Sequence, residues 1–411
     1  MIVVLSQGCT ANFGDGEKIA RILSQKSEVT FEFPEAKPKA FYLNVCTVKG
    51  NAGAMKLLRK AASTFPGVPI YITGCTPKDF REEALRAVPH VQFTSLKELE
   101  DSAHSANSRN VLRESPFVGI VNIEEGCLDA CAFCSTHLVK GRLHSFAPQT
   151  IVDQVQALVD DGCLEIQLTG QDCACYGFDI GTNLAELTQR ILTHVNGNYR
   201  IRLGMGNPRH VLGYQEALLD CFTDNRIYKF IHIPVQSGSE NVLKAMNRRH
   251  TARDYATLAH AFTERFRKFT LSTDLIVGYP GESAEDFNDT LNILKETRPT
   301  VCNITRFVAR PNTVAARLEA NAAAIPDSVK HERSAILAEA FQQIALENNR
   351  KWIGDECTVV TEKPGYRSGT TIARNMAYRP VALQGSFPAG TTLRVRITDA
   401  EPFALLAEPI V

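Results

Sequence analysis

The sequence predicts an α/β protein with an N-terminal doubly wound α/β domain, a central partial (β/α)6 barrel and a small C-terminal antiparallel β-barrel. Three observations lead to this. A chain of 411 residues is long enough for two or three domains. Short apolar strands alternate with helical patterns to about residue 350, and short β-like runs between Gly and Pro turns follow. The predicted domains are residues 1–112, 113–350 and 351–411.

In the first domain, apolar runs that alternate with helical periodicity predict a small doubly wound sheet. The predicted strands are residues 2–5, 40–44 and 69–73, and the predicted helices are residues 15–25, 52–64 and 80–87. The polar stretch 101–110 predicts a linker.

In the second domain, strand and helix patterns repeat six times, which is short of the eight units of a complete barrel. The predicted strands are residues 118–123, 164–168, 199–203, 230–234, 270–277 and 302–308. Amphipathic helices are predicted at residues 149–162, 213–224, 253–268 and 283–297, and a helix at 327–350 closes the domain.

The third domain contains four β-like runs, at residues 357–361, 370–373, 379–383 and 392–397. Glycine and proline turns separate them, which is typical of a small antiparallel barrel.

The composition is that of a globular protein, with 44% hydrophobic and 22% charged residues. A net charge of zero argues against a protein coated in nucleic acid, although it permits a local basic patch. No apolar run is long enough for a membrane span, and residues 1–5 read as a first strand rather than a signal peptide. We therefore expect a cytoplasmic protein whose cysteines are reduced and available to metals.

Three cysteines lie in one short run, Cys127-Leu-Asp-Ala-Cys131-Ala-Phe133-Cys134, just after the predicted strand 118–123. Active sites form at the C-terminal ends of such strands. A zinc site that adds His137 as the fourth ligand is one alternative. A disulfide is disfavoured by the odd number and by the compartment. Three thiolates suit a cluster that keeps one metal position open.

A second trio is dispersed, but each member follows a predicted strand: Cys9, Cys46 and Cys75. The C-terminal ends of parallel strands share one edge of a sheet, so these cysteines can converge. Singly, each would more often be a buried core residue. Together they favour a second cluster.

The spacing Cys-x3-Cys-x2-Cys, with Phe133 before its last cysteine, resembles the signature of the radical S-adenosylmethionine (SAM) superfamily. The resemblance implies a [4Fe-4S] cluster on Cys127, Cys131 and Cys134. Its open iron would bind the amino and carboxylate groups of SAM.

The order Gly-Cys9-x-x-Asn12-x-x-Asp15, Asn44-x-Cys46 and Gly74-Cys75 resembles the radical-SAM methylthiotransferases. The C-terminal part resembles the TRAM domain, an RNA-binding module, in its strand spacing and in the segment 390–398. The alternative is a β-barrel that only packs on the core. The segments 168–184 and 202–208 are similar to the archaeal and eukaryotic enzymes that modify threonylcarbamoyladenosine in tRNA.

This resemblance implies two [4Fe-4S] clusters, the second on Cys9, Cys46 and Cys75. It also implies insertion of a methylthio group at C2 of N6-threonylcarbamoyladenosine at position 37, beside the anticodon. The implied partners are the anticodon loop of tRNA and an electron donor such as a flavodoxin or a ferredoxin. The sequence does not identify the sulfur donor.

No catalytic residue is predicted beyond the cluster ligands. The residues expected to contact SAM are Phe133, Thr169, Gly170, Gln171, Asp172, Gln236 and Asp274. Gly170 would permit close backbone approach, and Asp172 could pair with the SAM ammonium. The alternative for the segment 169–172 is a plain strand-to-loop turn. Arg306 and Arg310 could contact phosphate.

Lys140 stands where the family usually has arginine, which removes a planar guanidinium. Cys173 and Cys175 lie in the predicted SAM segment, where packing is favoured over metal ligation. Two other functions remain open. One is methylthiolation of another adenosine or of a ribosomal protein, and the other is a non-catalytic tRNA-binding iron–sulfur protein.

Overall fold

The computed structural model describes residues 1–46, 51–102 and 112–410, without the side chains of residues 322 and 323. The chain forms two compact units. The first unit comprises Met1–Asp129, Cys134–Gln171 and His194–Tyr199, and the second comprises Ala130–Phe133, Asp172–Thr193 and Arg200–Val411. The three predicted domain bounds stay a prediction.

The first unit contains a five-stranded parallel sheet with the order Val29–Thr30, Ile2–Ser6, Ala40–Cys46, Ile70–Cys75, Gln92–Phe93. Its helices are Thr10–Ser24, Ala52–Thr64, Lys78–Ala87 and Leu96–Ser102. Val3 packs in one apolar cluster with Leu58 and Phe80, while the next residue, Val4, packs in another with Ile19. Successive side chains of a strand point to opposite faces, so both faces are covered and the doubly wound fold is confirmed.

Three differences from the prediction are larger than the shifts of one or two residues at the other ends. The helix predicted at 15–25 begins at Thr10, because Gly14 and Gly16 weaken the helical signal in its first two turns. The two outer strands have only two residues each and carry no readable alternation. The first two residues of the predicted linker 101–110 end the helix Leu96–Ser102, and the others lie outside the described residues.

The remainder of the first unit begins with the strand Val118–Asn122, which pairs in parallel with Glu165–Thr169. Between them lie a hairpin of Glu124–Glu125 and His144–Ser145 and the helices Thr136–Lys140 and Pro148–Asp160. Both predicted strands are therefore present, with ends that differ by one residue.

The second unit contains a parallel sheet with the order Phe230–His232, Thr270–Val277, Val301–Arg306. Together with Arg200–Leu203, all six predicted strands of the central region are present. The α-helices are Leu184–His194, Pro208–Val211, Gln215–Cys221, Glu240–Ala245, Ala252–Arg265, Ala284–Thr297, Val314–Leu318 and Asp327–Arg350, and the short turns of other helical types are Cys173–Cys175, Leu212–Tyr214 and Glu319–Ala323. Capping boxes at Thr251 and Ser283 start two of the long helices.

A closed five-stranded barrel ends the second unit. Its strands are Glu356–Pro364, Thr370–Asn375, Pro380–Gln384, Thr392–Ala400 and Leu405–Pro409. The fifth strand was not predicted, because Leu-Leu-Ala-Glu-Pro lacks the β-branched and aromatic residues typical of strands. This strand pairs in parallel with Pro380–Gln384 and antiparallel with Thr392–Ala400, and so closes the barrel.

No helix within the described ranges is both long and apolar enough to cross a bilayer.

Candidate functional site

The dispersed cysteines converge in the first unit. Cys46 and Cys75 are the last residues of neighbouring parallel strands and stand opposite each other in register. Cys9 precedes the helix Thr10–Ser24 at its N-cap position. The thiol of Cys46 is hydrogen-bonded to those of Cys9 and Cys75. Three sulfurs from three separate segments thus occupy one small volume at the C-terminal edge of the sheet.

The backbone at Gly8 lies directly against the Cys46 side chain. Gly8 has a φ of +131°, and a Cβ on it would lie 2.2 Å from Cys46 Cβ. Any side chain at this position would therefore displace the Cys46 thiol. The buried amide of Asn12 donates to the carbonyl oxygens of Gln7 and Asn44 at 2.8 and 3.0 Å and fixes the loop that carries Cys9 to the strand that ends at Cys46.

The three thiols differ in acidity. The hydrogen bond to Cys46 raises the pKa of the Cys9 thiol. At the other end, the hydrogen bond to Cys46 holds the pKa of Cys75 below its usual value, and the charge of Lys140 acts in the same direction. The thiolate is the form that binds metal, so Cys75 is the member most ready to act as a ligand.

Lys140 links two carboxylates near this edge. Its Nζ lies 3.1 Å from Asp15 Oδ2 and 2.8 Å from Glu125 Oε1. Burial lowers the pKa of Lys140, but the carboxylates outweigh burial and hold the pKa above its usual value. Burial raises the pKa of Asp15, which Lys140 opposes. Asn122 Nδ2 donates to the other Asp15 oxygen at 2.8 Å. An ammonium makes these two single contacts without the planar fork of arginine.

Cys127 and Cys134, two of the three cysteines in the short run 127–134, belong to the first unit. The backbone N–H of Cys127 donates to the carbonyl of Gly141 at 3.3 Å, and the N–H of Asp129 points to Cys127 Sγ at 3.4 Å. Cys134 lies two residues before the helix Thr136–Lys140 and is half-buried. Both thiols are accessible enough to receive a metal.

Cys131 and Phe133 belong to the second unit. Arg248 Nη1 donates to Cys131 Sγ at 3.5 Å, while its Nη2 is held by the carbonyl of Pro234 at 2.8 Å. Phe133 packs on an apolar cluster that includes Met246. The predicted packing of Phe133 near the SAM adenine stays a prediction, but its ring anchors the loop on which Cys131 lies.

All twelve cysteines of the chain lie in the described residues, and each carries a thiol rather than a disulfide.

The predicted SAM segment starts in the first unit at the end of the strand Glu165–Thr169. A Cβ on Gly170 would lie 2.0 Å from Glu124 Oε1, so only glycine fits beside this buried carboxylate. Gln171 Oε1 accepts a hydrogen bond from the N–H of Gly126 at 2.7 Å. Thr169 accepts from the N–H of Ile123 through its carbonyl at 2.9 Å. These contacts tie the segment to the loop that leads into Cys127.

Asp172, in the second unit, has protein partners for its carboxylate. Oδ1 accepts from the backbone N–H groups of Ala174 at 3.2 Å and Asn207 at 2.9 Å. Cys173 and Cys175 are fully buried, and Cys175 Sγ contacts the Asp172 carbonyl at 3.1 Å. Asp172 therefore organises a tight turn, and a contact with SAM remains a prediction.

Gln236 and Asp274 are brought together in the second unit. The N–H of Gln236 donates to the carbonyl of Asp274 at 2.9 Å, with Gln236 at a positive φ of 74°. The Asp274 carboxylate contacts His232 Nε2 at 3.1 Å and accepts from Asn303 Nδ2 at 2.7 Å. Sequence reasoning missed His232 and Asn303, although each lies on a predicted strand and could be found from that position alone.

The two arginines considered for phosphate contact are on or after the last strand of the sheet. Arg306 Nη1 lies 2.6 Å from His331 Nδ1 on the helix Asp327–Arg350. The carbonyl of Arg310 accepts from the Thr313 hydroxyl at 2.7 Å. Sequence reasoning also missed Arg248, Asp15 and Glu125 as supports of the cysteines, since their contacts span long stretches of chain.

Two family models match the parts of the chain that contain the cysteine trios. The model described as the Radical SAM superfamily matches residues 121–294, and the one described as "Uncharacterized protein family UPF0004" matches residues 1–95.

Similar proteins cover the chain from end to end. The probable threonylcarbamoyladenosine tRNA methylthiotransferase of Pyrococcus horikoshii is 35% identical, with 100% of this chain and 99% of that protein aligned. The threonylcarbamoyladenosine tRNA methylthiotransferase of Homo sapiens is 28% identical over 100% of this chain and 74% of that protein.

Among solved structures, the radical S-adenosylmethionine methyltransferase TsrM from Kitasatospora setae, with cobalamin and a [4Fe-4S] cluster bound, has a TM-score of 0.53. It is 13% identical and covers 77% of each chain, which shows a shared fold. The predicted radical-SAM fold is thus confirmed.

Proposed function

We propose that this chain, which belongs to the threonylcarbamoyladenosine tRNA methylthiotransferase family, inserts a methylthio group at C2 of N6-threonylcarbamoyladenosine at position 37 of tRNA. The C2–H bond of an adenine ring is unactivated, so proton transfer alone does not break it. A radical mechanism with SAM and iron–sulfur chemistry meets this requirement. We expect the reaction in the cytoplasm, where thiols stay reduced.

The observation that carries this proposal beyond radical chemistry in general is the convergence of Cys9, Cys46 and Cys75. The thiol of Cys46 is hydrogen-bonded to those of Cys9 and Cys75, although the three residues come from three segments of the first unit. A disulfide or an apolar core explains two neighbouring thiols more readily than three. The arrangement suits a [4Fe-4S] cluster with three protein ligands and one open position.

Cys127, Cys131 and Cys134 are the proposed ligands of the other [4Fe-4S] cluster. When bound, one cluster supplies the reductive cleavage of SAM to a carbon radical, and the other supplies the sulfur that leaves as the methylthio group. The electron would come from a flavodoxin or a ferredoxin.

Two cationic side chains contact or influence the cysteine ligands. The Arg248 guanidinium donates to Cys131 Sγ and neutralises part of a thiolate charge. Lys140 lowers the pKa of Cys75 by its positive charge and is itself held by Asp15 and Glu125. Lys140 therefore favours the thiolate form of Cys75, and Arg248 places a positive charge beside Cys131.

We assign SAM contacts to Phe133, Thr169, Gly170, Gln171, Asp172, Gln236 and Asp274. Support is strongest for Asp274, whose carboxylate is partly exposed and aimed by Asn303 and His232. Oδ1 of Asp172 accepts from two backbone N–H groups of its turn, so besides the proposed SAM contact we assign Asp172 a positioning role for the segment 169–172.

Iron content tests the two cluster sites. After anaerobic reconstitution the protein should hold about eight iron atoms, four in each cluster. The variants Cys9→Ala, Cys46→Ala and Cys75→Ala should each hold about four, whereas Cys163→Ala, a matched control at a buried cysteine of the first unit, should keep all of them. Unchanged iron in the three variants would reduce the trio to core residues.

Activity separates the enzyme from a binding protein. With reductant and SAM, the Cys46→Ala variant should still form 5'-deoxyadenosine but no 2-methylthio nucleoside. Nucleoside analysis of tRNA carrying N6-threonylcarbamoyladenosine identifies the product. If the intact protein forms no 5'-deoxyadenosine, the iron is structural and the enzymatic proposal fails. If it cleaves SAM but leaves this nucleoside unmodified, another adenosine or a ribosomal protein is the substrate.

A further inference from the structure

A cavity of about 470 Å³ lies in the second unit, and none of the described residues that line it is a cysteine. It is within the size range of ligand sites. We call it the basic cleft and define it by Arg267, Lys268, Arg298, Lys351, Trp352 and Arg379. Arg267 and Lys268 precede the strand Thr270–Val277, and Arg298 precedes the strand Val301–Arg306. Lys351 and Trp352 follow the helix Asp327–Arg350, and Arg379 precedes the barrel strand Pro380–Gln384.

Within the second unit, the basic cleft lies at the N-terminal ends of two strands. Thr270, which lines it, is the first residue of the strand Thr270–Val277, and Thr300 precedes the next strand. Active sites of such sheets form at the opposite, C-terminal ends of the strands. An eight-residue strand spans about 25 Å, so a small molecule in the cleft would not reach the C-terminal ends of these strands, whereas a long polymer could.

Arg379 is the buried floor of the cleft, with 2% of its surface exposed. Its Nη1 donates to the carbonyl of Thr300 at 3.2 Å and its Nη2 to Asn349 Oδ1, but Nε has no partner within the described residues. Burial, and then the neighbouring Arg374, lower the pKa of Arg379 to about 9. A buried charge without a counter-ion is costly, so this guanidinium favours an anion beside it.

The rim adds unneutralised charge. Lys268 is paired with Asp355 at 2.6 Å, and Arg298 is paired with Glu347. Arg267 and Lys351 are exposed, and within the described part of the chain neither has a carboxylate within 4 Å. The cleft thus combines a buried cation with two open cations at its edge, which suits a ligand that extends beyond the cavity.

Trp352, the only tryptophan of the chain, completes the cleft, with Lys268 Nζ 4.8 Å from its ring centre. Aromatic rings among cations are typical of surfaces that bind nucleic-acid strands. We propose that the basic cleft binds a backbone phosphate of the RNA substrate at a point remote from the modified base. The inference rests on the proposed function, which makes RNA the substrate.

Binding of full-length substrate tRNA to the reconstituted protein, measured across a range of KCl concentrations without reductant, tests this inference. The double variant Arg267→Ala/Lys351→Ala removes the two open cations. It should bind about tenfold more weakly at low salt, and its slope of log affinity against log salt should fall by about one to two units. The matched control Lys295→Ala/Arg350→Ala removes one lysine and one arginine that are exposed but do not line the cleft, and should bind within about twofold of the intact protein.

Trp352 fluorescence gives an independent readout of occupancy. Addition of tRNA should change it in the intact protein and in the control, and should change it much less in the double variant. Equal tRNA binding by the double variant and the control would overturn the inference. So would a fluorescence response to AMP or inorganic phosphate without one to tRNA, which would mark a small-molecule site. The rate of 5'-deoxyadenosine formation without RNA should be the same in the intact protein and in every variant. If the intact protein forms no 5'-deoxyadenosine, the proposed function fails rather than this inference.

Discussion

The Lys140 bridge gives the most exacting test of how the first unit supports its cysteines. The perturbation is Lys140→Met, which keeps most of the apolar stem and removes the ammonium. The side chains of Lys140 and Asp15 are 14% and 12% exposed, whereas that of Glu125 is 51% exposed. The contact with Asp15 should therefore carry most of the energy.

The magnitude follows from these exposures. A hydrogen bond between charged groups away from water contributes about 1.5–3 kcal/mol. The exposed contact with Glu125 adds at most about 0.5 kcal/mol, while Asn122 continues to donate to Asp15. We expect Lys140→Met to lower the free energy of unfolding of the first unit by about 2–3 kcal/mol at neutral pH. The loss should shrink at lower pH, because burial already raises the pKa of Asp15 and protonation would remove its unpaired charge.

Hydrogen exchange of the amides in the strand Ala40–Cys46 measures this free energy without assuming that both units unfold together. The Asp15→Asn variant and the double variant complete a cycle whose coupling should be about 2 kcal/mol. Lys78→Met is the control, since the pair of Lys78 with Glu82 is exposed, at 3.9 Å, and should contribute less than about 1 kcal/mol. A coupling near zero would show that the bridge does not stabilise the unit.

Three further changes have defined outcomes. Burial raises the pKa of Glu17 from 4.5 to about 7, so the folded state binds more protons than the unfolded state between these pH values. The free energy of unfolding should therefore fall by about 3 kcal/mol as the pH rises from 4.5 to 7, and urea unfolding of Glu17→Gln should not show this pH dependence. Gly170→Ala should destabilise by about 2 kcal/mol or more in thermal unfolding, because its Cβ meets a buried carboxylate, while Gly213→Ala, which has open space, should change stability by less than about 1 kcal/mol. Arg248→Met should make the reduction potential of the proposed cluster on Cys131 more negative by tens of millivolts at least, because hydrogen bonds to the sulfurs tune that potential. A redox titration followed by electron paramagnetic resonance measures it, and an unchanged potential would show that the contact is not retained on cluster binding.

Most of the fold could be predicted because its strands are apolar and its helices are periodic. The helix Asp327–Arg350 has the predicted bounds, and so does the strand Thr270–Val277. The closing strand of the C-terminal barrel could not be predicted from its own residues. Leu405–Pro409 becomes a strand through its two neighbours in the barrel rather than through its own residues.

The candidate site was predictable to the extent that its residues follow strands. That rule located both cysteine trios, and the register of Cys46 opposite Cys75 agrees with it. It could not reveal the supports, because Lys140 meets Asp15 across 125 positions and Arg248 meets Cys131 across 117. Such pairs are set by tertiary packing, which a pattern of neighbours in sequence does not record.

The closing strand of the C-terminal barrel has a consequence for how the protein is made. Leu405–Pro409 lies between Pro380–Gln384 and Thr392–Ala400, both of which are synthesised before it. Until the ribosome has delivered this strand, the nascent barrel has two open edges with unpaired backbone groups. Because folding proceeds from the N-terminus during synthesis, a product that stalls before Leu405 would expose a sheet edge prone to association.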